Sequence, residues 1–139
     1  MSFVNPEPEQ LCALLGRVKT IAVLGYSPKP ARPSHYIARG MQQRGYRIIP
    51  VRPGISEGLG EKAYPDLASV TERIDLVNVF RASEFAPKIV DDCLRLGLKN
   101  LWMQEDIWHE DAAARAVAAG MTVVMNRCIL RDYTRLCLG

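Results

Sequence analysis

The chain has 139 residues, nearly half of them apolar and 24% charged, which is length enough for one domain around a single core. Its 15 acids are dispersed among 18 bases, and a net charge of +3 so mixed does not make the one-sided basic footprint of a nucleic-acid binder. Residues 1–10 hold no apolar stretch of signal-peptide length, and no later segment approaches the ~20 apolar residues of a membrane span. The expectation is a single cytoplasmic domain over residues 1–139, with neither nucleic acid nor membrane as partner.

The first pattern, Glu7 to Val18, spaces Leu11, Leu14, Leu15 and Val18 for one face of a helix. The run Ile21 to Leu24 has no polar alternation, as suits a central parallel strand buried on both sides. A polar loop follows, and Tyr36, Ile37, Gly40 and Met41 then fall at helical spacing, with Ser34 as the expected N-cap and Gly45 as the stop. Tyr46 to Val51 reads as the second strand. Turn residues fill Arg52 to Gly60, and Ala63-Tyr64 makes a short edge strand before Pro65. Asp75 to Phe80 is the fourth strand, and Ser83 caps a helix carrying Phe85, Ile89, Val90, Cys93 and Leu94 that ends at Gly97. Leu101 to Met103, a helix over Glu110 to Ala119, the strand Thr122 to Met125 and a helical segment over Ile129 to Leu138 complete the chain.

Strands alternating with helices of about ten residues require right-handed crossovers and an open parallel sheet with helices on both faces. The fold class is therefore α/β, Rossmann-type, with expected strand order 3-2-1-4-5-6. The four cysteines lack CxxC pairing and read as reduced thiols. His109 sits among first-turn acids of a helix, which is a structural rather than a metal-binding setting.

In such a sheet the ligand lies beyond the carboxyl ends of the strands, at the point where their order reverses. The sequence puts few residues there: Gly25 to Ser34, Val51-Arg52-Pro53, Phe80-Arg81, Gln104, and Asn126-Arg127-Cys128. Within them Gly25, Ser27, Lys29, Arg32 and Ser34 sit between a strand and a helix N-terminus, the setting in which free N–H groups and the helix dipole favour a phosphate. The bland alternative is a solvated turn, since Pro28, Pro30 and Pro33 keep almost any loop exposed. Arg81 and Arg127 have acids nearby in sequence, Asp75 and Asp132, with which either would pair. A neutral His35 beside the Ser34 cap would donate to a phosphate, the alternative being a plain surface histidine.

A GxGxxG loop needs three glycines where this one has one, and the second strand ends in Val51-Arg52 rather than in the acid that holds an NAD ribose. An arginine there suits a ribose bearing an extra phosphate. That leaves the choice between NADP, with its 2′-phosphate, and coenzyme A, with its 3′-phosphate.

The loop Gly25-Tyr26-Ser27-Pro28-Lys29-Pro30-Ala31-Arg32-Pro33-Ser34 resembles the G-A-S-x-K-P-x-R-x-S signature of the CoA-binding domain family in its short stand-alone form. The similarity continues through Gly60 to Pro65, Asp75 to Arg81, Trp102-Met103-Gln104 and Asn126-Arg127-Cys128. The family in turn is similar to the nucleotide-binding domain of succinyl-CoA synthetase alpha subunits, without the domain that carries their phosphohistidine. The resemblance implies coenzyme A or an acyl-CoA held over a Rossmann sheet, with Gly25, Ser27, Lys29, Arg32 and Ser34 at the phosphates. It also implies Pro53 beside the adenine, Phe80 and Arg81 flanking the nucleotide, and Gln104 nearby. Tyr26 stands where the family has a small residue, Arg52 where it has asparagine and Asn126 where it has aspartate; Tyr26 is expected to narrow the pocket or stack on the ligand, and Arg52 to strengthen phosphate binding.

The function expected is non-catalytic binding of coenzyme A or an acyl-CoA, as sensor or carrier. Two alternatives stand beside it. One is an NADP-dependent reductase or acyl-CoA-handling enzyme completed by a partner, drawing on Tyr26, His35 or Cys128; the other is a ligand-free protein-interaction module. A homo-oligomer or a partner enzyme is open on the sequence.

Overall fold

A computed structural model describes residues 3–138. The apolar strands form a five-stranded parallel sheet of β1 (Thr20–Leu24), β2 (Arg47–Val51), β5 (Leu76–Val79), β6 (Asn100–Met103) and β7 (Thr122–Val124), in the order β2-β1-β5-β6-β7. Period-two geometry sends alternate side chains to opposite faces. Ile21, Val23, Ile48, Leu76 and Trp102 pack on one face with α1 (Pro8–Arg17), α2 (Pro33–Gln43) and α5 (Ile129–Asp132). Ala22, Ile49, Val77, Val79 and Leu101 pack on the other with α3 (Ala86–Arg95) and α4 (Glu110–Ala118).

The reversal of strand order falls between β1 and β5, which leave the sheet toward opposite faces and so part their following loops. The expected outermost strand is reduced to one parallel bridge: Tyr64 pairs with Val51, its N–H donating to the Pro50 carbonyl while Arg52 N–H donates to its own. Pro65 stops it there. The turn-rich stretch before it is more ordered than expected, forming a two-stranded antiparallel hairpin, β3 (Glu57–Gly58) with β4 (Glu61–Lys62).

Two helix starts differ from expectation. The N-cap of α2 is Arg32, whose side chain caps nothing, because Pro33 fixes the backbone of the first turn and frees the Ser34 hydroxyl for another bond. A 3-10 turn over Ser83–Phe85 precedes α3, and the Ser83 hydroxyl accepts from the Trp108 N–H instead of capping. His109 does cap α4, its Nδ1 accepting from Ala112 N–H at 3.1 Å.

The cysteines correct the reading of four reduced thiols. Cys12 on α1 and Cys137 in the π-helical turn Tyr133–Cys137 are joined in a disulfide, while Cys93 and Cys128 are free and buried. Their 125-residue separation hides the pair in the sequence; packing of the last turn on α1 brings the Cα atoms to 5.4 Å. Beside this clasp Tyr46 donates its hydroxyl to the Leu15 carbonyl at 2.5 Å, and burial pushes that phenol up to about 12. At the opposite edge, Asn5 exchanges both of its amide hydrogen bonds with the backbone of Met125, closing the outer side of the chain just past β7.

Candidate functional site

The loop from β1 to α2 is built on Gly25. Its φ is +89°, and a Cβ there would sit 2.7 Å from the Phe80 carbonyl oxygen, so the crossing of the β1 and β5 ends requires glycine. Beyond it the two serines hold the loop to the helix: Ser27 N–H donates to the Ser34 hydroxyl at 2.9 Å and Lys29 N–H to the Ser27 hydroxyl at 3.2 Å. These bonds leave Lys29 and Arg32 projecting into solvent from a fixed backbone.

Tyr26 is buried beneath the β3–β4 hairpin. Gly58 makes this fit, since a Cβ on it would lie 2.6 Å from the Tyr26 ring. Burial holds the phenol above its ordinary range. His35 Nδ1 stands 3.1 Å from both the Tyr26 hydroxyl and the Ser27 carbonyl. A carbonyl only accepts, so one assignment satisfies both contacts: Nδ1 carries the hydrogen and donates to each. The Nδ1 of His35 thus fastens the loop.

Over the carboxyl ends of β1, β2, β5 and β6 these elements enclose a cleft of about 830 Å³. Gly25, Tyr26, Ser27, Lys29, Arg32 and Ser34 form its wall on the α2 side. Arg52 and Pro53 enter from the end of β2, Phe80 and Arg81 from the end of β5, and Gln104 from the end of β6. Lys29, Arg32, Arg52 and Arg81 are all exposed, and among the described residues none has a carboxylate within ion-pair distance. Arg81 lies over the Phe85 ring, 4.3 Å from its centroid, which orients the guanidinium without neutralising it.

A second cavity of about 680 Å³ lies at the amino ends of the strands, lined in part by Arg17, Glu72, Arg73, Asp75 and Lys99. Its two acids are both engaged, while Arg17 and Lys99 have no carboxylate within ion-pair distance among the described residues. Arg73 pairs with Asp75 at 3.2 Å, and Glu72 takes two hydrogen bonds from Arg47. Asp75 also accepts from the N–H groups of Lys19 and Thr20, which makes it a staple for the start of β1.

Several expected residues serve the fold instead. Val51 is fully buried and lies outside the cleft wall, because β2 turns its side chain into the core. Gln104 reaches the cleft, yet its Oε1 accepts from Asn78 Nδ2 at 3.1 Å and from Ile129 N–H at 3.0 Å, so only its amide nitrogen is left for a ligand. Arg127 takes the alternative partner: it forms a bidentate pair with buried Asp132 at 2.5 and 2.9 Å, and that pair raises its pKa further. Asn126, at φ +57°, accepts from Asp106 N–H and shapes a turn, a conformation asparagine tolerates. Cys128 is buried at the start of α5, outside the cleft wall. The cleft also includes residues not singled out beforehand, among them Tyr36, Ile37, Ala82, Ile107 and two acids, Asp106 and Glu105, the latter paired with Arg131. The helical period of Tyr36 and Ile37 was visible in the sequence; that their helix leans over the cleft was not.

The match to the CoA binding domain family runs over residues 19–134, which takes in every strand of the sheet and all of the cleft. The uncharacterized protein YneT of Bacillus subtilis (strain 168) is 41% identical over 125 residues, covering 90% of this chain and 93% of that one. A hypothetical protein from Pyrococcus horikoshii OT3 superposes with a TM-score of 0.90 at 32% identity, over 100% of both chains. The acetate–CoA ligase (ADP-forming) II of Archaeoglobus fulgidus is 26% identical over 83 residues, 58% of this chain but only 12% of that enzyme. Fold, loop and relatives agree: the chain belongs to the CoA binding domain family.

Proposed function

We propose that the protein binds coenzyme A or an acyl-CoA in the carboxyl-end cleft, through its ADP and phosphate groups, without catalysing a reaction on it, and acts as a sensor or carrier. The observation that carries this reading is the set of four exposed, unneutralised cations around one cleft, Lys29, Arg32, Arg52 and Arg81. Unpaired cations gathered at one concavity raise the local concentration of a polyanion and give it charge-assisted hydrogen bonds. Lys29 and Arg32, with the serines of the same loop, suit the pyrophosphate; Arg52, at the end of β2, suits the ribose phosphate.

Coenzyme A is preferred to NADP on the family match and on a relative named as a CoA ligase. A non-catalytic role fits the three chemical candidates of the enzyme alternative. The Tyr26 hydroxyl is buried against His35, and His35 and Cys128 lie outside the cleft wall. A cytoplasmic setting belongs to the same proposal. A disulfide persists there only against a reducing pool, so the thiol state of Cys12 and Cys137 in freshly lysed cells tests that part.

Calorimetric titration with coenzyme A, dephospho-coenzyme A and NADP tests the reading. Coenzyme A should bind, and Arg52→Ala should weaken it by roughly 1.5–3 kcal/mol while leaving dephospho-coenzyme A nearly unaffected. No heat from coenzyme A at about millimolar concentration would overturn the proposal.

A further inference from the structure

Past the end of β6, Gln104 lines the cleft while only 4% exposed, and its amide is held by groups that allow one arrangement. The Ile129 N–H can only donate, so the amide atom 3.0 Å from it is the oxygen. The Trp102 carbonyl can only accept, so the Asn78 nitrogen faces it at 3.2 Å and reaches the same Gln104 oxygen at 3.1 Å. Two donors thus fix Oε1, and turning the amide over would set a nitrogen against both. Nε2 makes no hydrogen bond among the described residues, where no buried side-chain nitrogen or oxygen is left without a partner. It is therefore the part of this side chain that meets solvent, and the solvent Gln104 borders is the cleft.

A nearly buried donor, fixed by two neighbours and left without a partner, is set for an acceptor that the chain does not contain. An oxygen placed there gains a hydrogen bond at little cost in side-chain freedom. The sheet says how far that oxygen lies from the phosphates: β6 is two strand spacings from β1, about 10 Å. From a pyrophosphate at the loop between β1 and α2, an extended pantetheine arm advances about 1.2 Å per bond. Its two amide carbonyls then fall at about 6 and 11 Å, and the carbonyl of a thioester at about 17 Å. We propose that Gln104 reads the pantetheine arm, its Nε2 donating to the second amide carbonyl, the one nearer the thiol. The inference rests on the coenzyme A reading and adds to it the residue that tells the whole cofactor from its nucleotide half.

The test compares coenzyme A and acetyl-CoA with 3′-phospho-ADP, the same nucleotide without the arm, by calorimetry on the native protein and on Gln104→Glu. At about pH 8 an ionised glutamate still accepts from Asn78 and Ile129, but offers the arm a second acceptor in place of the donor. Its charge weakens all three ligands through their phosphates, so the readout is the ratio of Kd values. The preference for coenzyme A over 3′-phospho-ADP should fall at least about fivefold in Gln104→Glu, and the preference for acetyl-CoA by the same factor. A fall confined to acetyl-CoA would put the acceptor on the thioester and overturn the assignment. NMR of the native protein gives a second readout whether or not the variant folds: an Nε2 proton of Gln104 should move downfield with coenzyme A and not with 3′-phospho-ADP. An unchanged ratio, or a Gln104 signal that responds alike to both ligands, overturns this inference alone; failure of all three ligands to bind overturns the coenzyme A reading with it.

Discussion

The two ends of the parallel sheet are both hollow and both rich in charge, and they differ in how that charge is answered. At the amino end Arg73 has Asp75, Glu72 has Arg47, and Asp75 also collects two backbone N–H groups. At the carboxyl end Lys29, Arg32, Arg52 and Arg81 line a cleft together with Asp106 and with Glu105, which pairs with Arg131, and among the described residues none of the four cations has a carboxylate within ion-pair distance. A cavity whose carboxylates are all engaged with neighbouring side chains and backbone holds the fold together, whereas one that gathers four unpaired cations is arranged for something that is not part of the chain. Cavity size does not separate the two, at about 680 and 830 Å³; the state of the charges does.

The largest effect should come from removing charge at the carboxyl end. Lys29→Ala with Arg32→Ala is expected to weaken coenzyme A by roughly 1.5–3 kcal/mol per contact, about a hundred to ten thousand fold together. Arg73→Ala with Lys99→Ala, at the other end, should leave Kd within about twofold. Equal losses from both pairs would mean that overall charge, and not the cleft, governs binding.

Reduction of Cys12–Cys137 should separate stability from binding. A loop of 125 residues sets an upper limit of about 5 kcal/mol on the chain-entropy contribution, so the urea midpoint should drop clearly on reduction. The Kd of the folded protein for coenzyme A should not change, because neither cysteine lines the cleft. Gly25→Ala should affect both properties, since its methyl would press on the Phe80 carbonyl at a backbone angle alanine resists. A loss of about 1–3 kcal/mol in stability is expected, together with weaker binding as the loop shifts.

The smallest effect lies at the amino end. Hydrogen bonds from Arg47 hold the Glu72 carboxyl below its ordinary range. Such a group stabilises the fold fully at pH above its unfolded value, near 4.5, and loses that contribution as pH falls through the lower folded value. Denaturant titrations below pH 4.5 should therefore show a shallower acid decline in Glu72→Gln than in the native chain. The pair is partly exposed, so the difference is slight. An acid decline of equal slope would remove the Arg47–Glu72 pair from the comparison.

The sheet was legible because burial on both faces writes continuous apolar runs such as Ile21 to Leu24, and because Gly45, Gly97 and Gly120 each mark a helix end with positive φ. The hairpin around Gly58 was not, since its four strand residues are polar or small and its order comes from packing on Tyr26. Position at strand ends was likewise enough to gather the cleft residues after the first, second, fourth and fifth strands, but Val51 and the Asn126-Arg127-Cys128 segment lie outside the cleft wall. The roles of Gln104 and Arg127 were less readable: each is polar and sits after a strand, and only tertiary neighbours, Asn78, Ile129 and Asp132, commit them to the fold. Cys12 and Cys137 were missed for the same reason, as nothing local records a partner at the far end of the chain.

The most direct measurement is a crystal structure of the protein grown with coenzyme A. The account predicts the pyrophosphate against Ser27, Lys29 and Arg32 at the start of α2, with the ribose phosphate on Arg52. Coenzyme A bound instead in the amino-end cavity between Arg73 and Lys99, or lying over the cleft with its phosphates away from all four cations, would contradict it.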